Sequence, residues 1–209
     1  MLPVGGRVSA SHVTGVILAG GPASRFDGLP KGLQTVGGER IIDRVARGLR
    51  LVTNRLVVIS NDPQSGEWLP GATVEGDLLP SHSSLIGIHA ALSRAGGDVI
   101  VVAWDMPFVP VSLLEEIARR LASGAIAVVP IGPRGPEPVC AAYAAAALPF
   151  VEGMVAERAL RLSGLIDALP GADRIPLATV ARFGDPDVMF FNVNSPADRE
   201  RAEAIARAL

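Results

Sequence analysis

The chain has 209 residues, of which 49% are hydrophobic and 19% are charged, and its formal net charge is −2. This length suits one domain with a substantial buried core, and the near-neutral charge argues against a nucleic-acid partner, which would require a basic surface. No stretch is long and apolar enough to span a bilayer, and the lone Cys140 cannot form an intramolecular disulfide, so we expect a cytoplasmic protein without membrane contact.

The N-terminal residues 1–12 lack the apolar core of a signal peptide. No repeat, charge block or long low-complexity linker interrupts the rest of the chain. We therefore expect an N-terminal extension over residues 1–12, followed by a single domain over residues 13–209.

The first part of this domain alternates between strand and helix patterns. Residues 13–19 form an apolar, β-branched run closed by glycine, which is typical of a buried strand entering a turn. Residues 39–51 have apolar side chains at helical spacing, and residues 56–60 again indicate a buried strand. A short strand at Val74 and an amphipathic helix around Ile88 come next, so the alternation continues.

The most strongly apolar strand is predicted over residues 98–104. Ser112 and Glu115 have capping-box spacing at the start of the following helix, and residues 125–130 indicate another strand. This regular alternation predicts an α/β fold with a mostly parallel sheet that is covered by helices on both faces.

The last part of the chain gives weaker signals. Residues 139–143 favour a strand, residues 144–186 mix helical and turn signals, and residues 188–191 suggest a final strand. Ser195 followed by Pro196 predicts the start of a C-terminal helix, because serine caps helices and proline favours the first helical position.

The loop after the first strand is the leading candidate for a phosphate-binding site. In open parallel sheets, ligands bind at the carboxyl ends of the strands. Gly20 and Gly21 allow backbone amides to approach phosphate oxygens, and Arg25 and Lys31 bring two cations to the same loop. Lys31 is also the one lysine among 19 basic residues. The chain has neither a Walker motif nor a G-x-G-x-x-G motif, so ATPases and dinucleotide dehydrogenases are disfavoured.

Polar side chains follow three further strands: Asn61, with Ser60 as an equivalent candidate, then Asp77 and Asp105. The carboxylate of Asp105 would suit Mg²⁺ beside substrate phosphates, and Asp77 could be a second carboxylate. Each aspartate alone could be an ordinary cap or turn residue. Their joint placement with Lys31 favours a functional site.

Other catalytic constellations find no support. The three histidines show no metal-ligand spacing, and no G-x-S-x-G elbow indicates a serine hydrolase. Cys140 lies in an apolar run and is predicted to be a small buried side chain instead of a nucleophile.

Several motifs occur together in chain order: Leu18-Ala19-Gly20-Gly21, Arg25, Lys31-Gly32-Leu33, Asp105-Met106-Pro107 and Asn192-Val193-Asn194-Ser195-Pro196. This combination resembles the molybdenum cofactor guanylyltransferase (MobA) family over nearly the whole chain. The resemblance implies a Rossmann-like, three-layer α/β/α nucleotidyltransferase fold. It further implies an enzyme that uses Mg²⁺ to transfer GMP from GTP to the phosphate of molybdopterin, with release of pyrophosphate and transient contact with molybdoenzymes or cofactor-biosynthesis proteins.

The resemblance also implies roles for individual residues. It assigns catalysis to Lys31, Arg25 and Asp105, with Asp105 also binding the metal, and the acceptor substrate to Asn192 and Asn194. The implied nucleotide-binding residues are Leu18, Ala19, Gly20, Gly21, Lys31, Asn61, Asp77 and Asp105.

Two positions depart from the family pattern. Pro30 stands where the family usually has an aspartate, and Ser83 and Ser84 replace part of a G-P-L-[AG]-G segment. Pro30 is expected to push the preceding residue toward an extended conformation, and Ser83 can still cap a helix. Two alternatives follow: a related transferase that uses CTP or another phosphorylated acceptor, and a catalytically silent nucleotide-binding homologue.

Overall fold

The computed structural model describes residues 13–20, 25–26, 29–79 and 83–209. The predicted extension over residues 1–12 lies outside the described residues. The strands are β1 (Val13–Leu18), β2 (Arg25–Phe26), β3 (Leu29–Pro30), β4 (Thr35–Val36), β5 (Glu39–Arg40), β6 (Arg55–Ile59), β7 (Thr73–Glu75), β8 (Asp98–Ala103), β9 (Ala127–Gly132), β10 (Gly135–Pro136), β11 (Cys140–Tyr143) and β12 (Asp173–Ile175). The α-helices are α1 (Ile41–Val52), α2 (Ser84–Ala95), α3 (Val111–Leu121), α4 (Leu148–Ala156), α5 (Leu165–Ala168), α6 (Leu177–Val180), α7 (Pro186–Met189) and α8 (Pro196–Ala208).

The central sheet has eight strands in the order β10-β9-β11-β8-β1-β6-β7, and β12 pairs with β9. The neighbours β8, β1, β6 and β7 are parallel, and β12 is parallel to β9. The mostly parallel α/β fold predicted from the alternating pattern is therefore confirmed.

Helices cover both faces of the sheet. Successive residues of a strand point to opposite sides, so each strand contributes side chains to both faces. On one face, side chains such as Ile17 and Val102 pack with apolar residues of α1 and α3. On the other face, Val16 and Val101 pack with apolar residues of α2 and α4. The central strands are thus buried on both sides, which explains their continuous apolar sequences.

One strand, β11, runs antiparallel to both of its neighbours, β8 and β9. Because two reversals cancel, β9 runs in the same direction as β8. The carboxyl end of β9 at Gly132 therefore lies at the same edge of the sheet as the carboxyl ends of β1, β6 and β8. This places the segment after β9 near the predicted site.

Three helix starts test the capping predictions. Ser195 caps α8, with its side chain accepting a hydrogen bond from the Asp198 amide, and Ser83 caps α2 by accepting from the Leu85 amide. Both predictions are confirmed. The capping box at Ser112 is wrong, because the chain is already helical from Val111 and Pro110 takes the cap position.

The strand predicted over residues 188–191 is also wrong. The segment begins instead with the short helix α7, where the Asp185 side chain accepts a hydrogen bond from the Asp187 amide and Pro186 occupies the first turn. An aspartate followed by proline is a helix-start signal that outweighs a short apolar run. Among the residues that the structure describes, no helix has the length and apolar character needed to cross a membrane.

Candidate active site

The carboxyl ends of the parallel strands are joined by backbone hydrogen bonds that continue beyond the strands. The amide of Trp104 donates to the carbonyl of Leu18 at 3.1 Å, and the amide of Ala19 donates to the carbonyl of Ile59 at 2.9 Å. The Ser60 amide donates to the Glu75 carbonyl, also at 2.9 Å. The residues that follow β1, β6 and β8 are therefore held at fixed positions along one edge, with Ser60 bonded to the end of β7.

A cavity of about 320 Å³ opens at this edge and is called the first cavity below. The predicted nucleotide-binding residues Leu18, Ala19, Gly20, Asn61 and Asp77 all line it. The alternative position Ser60 lines it too, together with the capping residue Ser83. The structure therefore brings together predicted positions that are up to 59 residues apart in sequence, since Leu18 and Asp77 share one wall.

Asn61 and Asp77 bind each other in the wall of the first cavity. The Asn61 amide nitrogen donates to the Asp77 carboxylate at 2.9 Å, and the Asp77 backbone amide donates to Asn61 Oδ1 at 2.8 Å. This reciprocal pair fixes the orientation of both side chains. The carboxylate of Asp77 is consequently a positioned acceptor on the cavity wall.

Two tryptophans form the apolar part of the first cavity. Trp68 and Trp104 stack with their ring centroids 5.2 Å apart, and both are almost fully buried. The backbone at Gly32 lies directly against the indole of Trp104, because a Cβ atom added there would be 2.4 Å from Trp104 Cε3. Sequence reasoning missed both tryptophans. A glycine is thus required at position 32 by close packing.

Lys31 is the centre of a polar cluster beside the first cavity. It begins a short 3-10 turn, Lys31–Leu33, and only 11% of its side chain is exposed. Its Nζ donates to Asp105 Oδ2 at 2.5 Å and to Asn194 Oδ1 at 2.8 Å. A buried ammonium group is therefore held between a carboxylate at the end of β8 and an amide more than 160 residues away in sequence.

The segment that contains Asn194 is fixed to Asp105 by the backbone as well. The Val193 amide donates to the Asp105 carbonyl at 2.9 Å, and Val193 itself is completely buried. It packs with Val36, Ile41 and Phe108 in a small apolar cluster. Asn194 is thus held beside Lys31 by packing on one side and by hydrogen bonds on the other.

A second cavity, of about 520 Å³, lies beside this segment. Its lining includes Asn192 and Asn194, the two residues predicted to bind the acceptor. The Asn192 side chain donates a hydrogen bond to the carbonyl of Phe190 at 2.9 Å. Arg134 and Glu137 also line the second cavity, together with five residues that sequence reasoning missed: Asp187, Phe190, Phe191, Asp198 and Arg201.

Two groups near the site titrate unusually because they are buried. Burial raises the pKa of the Glu137 carboxyl to about 7, and the charge of Arg134 opposes this shift. Burial also raises the pKa of the Cys140 thiol far above its usual value. Cys140 is fully buried, as predicted, and is therefore not a thiolate nucleophile at neutral pH.

The remainder of the glycine-rich loop is only partly described. Gly21, a predicted nucleotide-binding residue, lies outside the described residues. For Arg25 the structure describes the backbone, which pairs with Pro30 in the β2-β3 hairpin. Leu29 is extended in this hairpin, as expected from the proline that follows it.

These features fit one class of protein. A cavity at the ends of parallel strands, together with a buried lysine that binds Asp105 after β8 and Asn194 of a second cavity, fits a nucleotidyltransferase. The chain belongs to the family described as "MobA-like NTP transferase domain", whose model matches residues 15–170.

Individual relatives agree with this assignment. The molybdenum cofactor guanylyltransferase of Desulfosudis oleivorans is 32% identical over 201 residues, covering 94% of this chain and 96% of the relative. A probable molybdenum cofactor guanylyltransferase of Pelotomaculum thermopropionicum is 33% identical, covering 93% of this chain and 94% of the relative.

Solved structures share the fold. The crystal structure of molybdopterin-guanine dinucleotide biosynthesis protein A from Archaeoglobus fulgidus has a TM-score of 0.77 at 29% identity and covers 94% of this chain and 100% of that one. A 4-diphosphocytidyl-2C-methyl-D-erythritol synthase from Anaerococcus prevotii has a TM-score of 0.70 at 11% identity, with 96% and 98% coverage of the two chains. This second likeness concerns the fold alone.

Proposed function

We propose that this protein transfers GMP from GTP to the phosphate of molybdopterin and releases pyrophosphate. The observation that carries the proposal is the position of Lys31, whose Nζ binds both Asp105 at the end of β8 and Asn194 in the wall of the second cavity. A single ammonium group thus reaches the region of each substrate. The names of the family and of its full-length relatives support the identity of those substrates.

The two cavities suggest how the substrates are divided. The first cavity lies at the carboxyl ends of parallel strands, where nucleotides bind in sheets of this type, and Gly20 presents open backbone to it. We assign GTP to the first cavity and the pterin acceptor to the second. The phosphate of the acceptor then lies next to Lys31, between them.

The proposed reaction requires no side-chain nucleophile. An oxygen of the acceptor phosphate, already ionised at neutral pH, forms a bond to the α-phosphorus of GTP, and the bond between the α- and β-phosphates breaks as pyrophosphate departs. Lys31 offsets the negative charge that converges at the α-phosphate, and its low exposure strengthens that interaction. We propose that Arg25 offsets the negative charge of the departing pyrophosphate. Catalysis then depends on alignment and charge neutralisation.

Mg²⁺ is the metal that we propose for this site, with Asp105 as its ligand. The carboxylate of Asp105 is a hard oxygen donor and is almost fully buried beside Lys31. Within the described residues, no group of three or more histidine, cysteine or acidic side chains is clustered to enclose a metal. A single carboxylate suits Mg²⁺, which is usually held by one or two carboxylates together with waters and substrate phosphates. When bound, the ion would neutralise phosphate oxygens.

A direct assay tests the proposal. The full chain is incubated with molybdopterin, Mg²⁺ and GTP, CTP or ATP, and pyrophosphate release is measured for each nucleotide. We expect release with GTP. Preferential use of CTP would refute the guanylyl assignment and favour the related transferase, while the absence of release with every nucleotide would favour a silent homologue.

The metal assignment has its own test. Asp105→Ala is expected to abolish the Mg²⁺-dependent part of GTP binding, measured by calorimetry with and without the ion. The matched control is Asp187→Asn, which removes a carboxylate from the second cavity instead. If GTP binding by Asp105→Ala remained fully dependent on Mg²⁺, the proposed role of Asp105 would be wrong. A cytoplasmic location and transfer of the product to a molybdoenzyme remain predictions.

A further inference from the structure

Glu137 is an acidic residue in the wall of the second cavity that the proposed chemistry does not use. Its backbone is fixed on both sides, since its amide donates to the Pro130 carbonyl at 2.9 Å and its carbonyl accepts from the Cys140 amide at 2.9 Å. Among the residues that the structure describes, none donates a hydrogen bond to its carboxyl group. The Glu137 carboxyl group is therefore a positioned acceptor that has no donor among the described residues.

The carboxyl group of Glu137 lies over a glycine. A Cβ atom added to Gly132 would be 2.5 Å from Glu137 Oε1 and 2.9 Å from Phe190 Cδ2. Gly132 belongs to β9 and is itself buried, so the space above it is taken by the carboxyl group and the edge of the Phe190 ring. The carboxyl group thus has one aromatic neighbour and one face toward the cavity.

No basic side chain within the described part of the chain forms an ion pair with this carboxyl group. The other charged side chains that line the same cavity are Arg134, Asp187, Asp198 and Arg201. The Arg201 guanidinium is 5.1 Å from the centre of the Phe191 ring. Arg134 is exposed, and its charge offsets only part of the effect of burial, which raises the pKa of Glu137 to about 7. A partly desolvated carboxylate gains most from a ligand that donates hydrogen bonds to it.

We propose that Glu137 is a specificity-determining residue that recognises the 2-amino-4-oxopyrimidine edge of the pterin acceptor. That edge carries two donors side by side, the ring N3–H and the 2-amino group, and an ionised carboxylate offers two acceptors side by side. This inference rests on the proposed function, because it assumes that the second cavity takes a pterin.

The proposal predicts a change in preference that a purely structural role would not produce. Lumazine differs from pterin in having an oxo group at position 2, so its edge presents an acceptor next to the N3–H donor. A carboxylate matches the pterin edge and opposes the lumazine edge. The amide of Gln has one acceptor and one donor, so Glu137→Gln matches lumazine instead.

The experiment compares 6-hydroxymethylpterin with 6-hydroxymethyllumazine by equilibrium dialysis against the full chain at about pH 7, where both rings are mostly neutral and a large part of Glu137 is ionised. The wild-type protein is expected to retain the pterin roughly 10-fold or more above the lumazine, which corresponds to one or two charge-assisted hydrogen bonds. Glu137→Gln is expected to lose this preference or reverse it. Glu137→Asp keeps the carboxylate and should retain part of the preference. The control Glu115→Gln, which changes an exposed carboxylate of α3 that lines neither cavity, should keep the wild-type ratio.

Equal retention of the two rings by the wild-type protein, or an unchanged ratio in Glu137→Gln, would overturn the proposal. Circular dichroism of each variant verifies the fold, and if Glu137→Gln does not fold, loss of the preference in Glu137→Asp with the fold retained is the supporting result. Failure of this inference is distinguishable from failure of the proposed function. In the first case the protein still releases pyrophosphate from GTP and molybdopterin, and in the second it does not, whatever the ring preference.

Discussion

The two cavities differ in how their walls are built. The first is made of residues that directly follow parallel strands, and it has a pair of stacked tryptophans in its wall. The second is lined by charged and aromatic side chains from the segment after β9, the region around α7 and the start of α8. The first therefore lies at the ends of several neighbouring parallel strands, whereas the second meets the sheet only at the end of β9.

Because the two walls differ, we expect substitutions in the first cavity and in the second cavity to change different properties of the protein. The strand ends of the first cavity are part of the hydrophobic core, so changes in its wall are expected to reduce the stability of the whole protein. Apart from the buried Phe190, the side chains of the second cavity lie outside the hydrophobic core, so changes in them are expected to affect acceptor binding with little effect on stability. Lys31 binds Asp105, which follows the first-cavity residue Trp104, and Asn194 of the second cavity, so its substitution is expected to affect the reaction itself.

The largest effect is expected for Lys31→Ala. The substitution removes the charge that we assign to the α-phosphate and leaves Asp105 without its partner, so kcat for pyrophosphate release should fall by about 100-fold or more. The matched control is Arg50→Ala, which removes an exposed cation that bonds to the Pro70 carbonyl, and it should have near wild-type kcat. Near wild-type turnover in Lys31→Ala would show that the two cavities do not act through this residue.

A second prediction concerns stability at the first cavity. Gly32→Ala would place a methyl group 2.4 Å from the buried Trp104 ring, so the free energy of unfolding should fall by roughly 2 kcal/mol. The measurement is urea unfolding. The control is Gly153→Ala in α4, where an added Cβ meets nothing within 4 Å, and alanine in a helix should stabilise by about 0.5 kcal/mol or more. Equal stability of the two variants would contradict the close packing at Trp104.

A third prediction concerns the second cavity alone. Gly132→Ala would displace the Glu137 carboxyl group and the Phe190 ring, so KM for molybdopterin should rise roughly 10-fold through the loss of about one hydrogen bond. KM for GTP should stay near the wild-type value. Steady-state kinetics with each substrate varied in turn will separate the two constants. An equal rise in both would mean that the cavities are not independent at this position.

The smallest effect is expected from the titration of Glu137. Its pKa is about 7 in the folded protein, above its usual 4.5, so the folded state binds this proton more tightly than the unfolded state. The stability that results is present below pH 4.5 and is lost as the pH rises through about 7. A fully shielded group with this shift would contribute about 3 kcal/mol, and partial exposure of Glu137 reduces the expectation to about 1 kcal/mol.

Unfolding by urea at pH 5 and pH 8 measures this contribution. Between these two values, the wild-type protein should lose more stability than Glu137→Gln does. Asp187→Asn, which leaves Glu137 in place, should follow the wild-type protein. Identical pH dependence in the wild type and Glu137→Gln would mean that the Glu137 carboxyl is well solvated.

Sequence reasoning was most successful for the first cavity, and the reason is physical. Gly20, Asn61 and Asp77 each follow an apolar strand pattern, and parallel strands end at one edge, so their convergence could be predicted. Asn192 and Asn194 were identified through the family motif. Their position beside Asp105 depends on the Val193 backbone hydrogen bond, which no local pattern specifies.

The residues that were missed depend on contacts between distant segments. Phe190 lies beside Gly132 and Glu137 although it is more than 50 residues away in sequence, and no spacing in the sequence indicates this contact. Trp68 and Trp104 reach each other only after β6, β7 and β8 are assembled. The strand predicted over residues 188–191 is wrong for a more local reason. The helix start at Asp185 and Pro186 outweighs the short apolar run that follows it.

The stacked pair of Trp68 and Trp104 places the tryptophan fluorescence of the protein on one side of the site. The chain contains two tryptophans, and both line the first cavity. All indole emission therefore originates from the wall assigned to the nucleotide, and none from the wall assigned to the acceptor. Intrinsic fluorescence should respond directly to occupancy of the first cavity, so nucleotide binding can be followed in the unlabelled protein while the acceptor is varied independently.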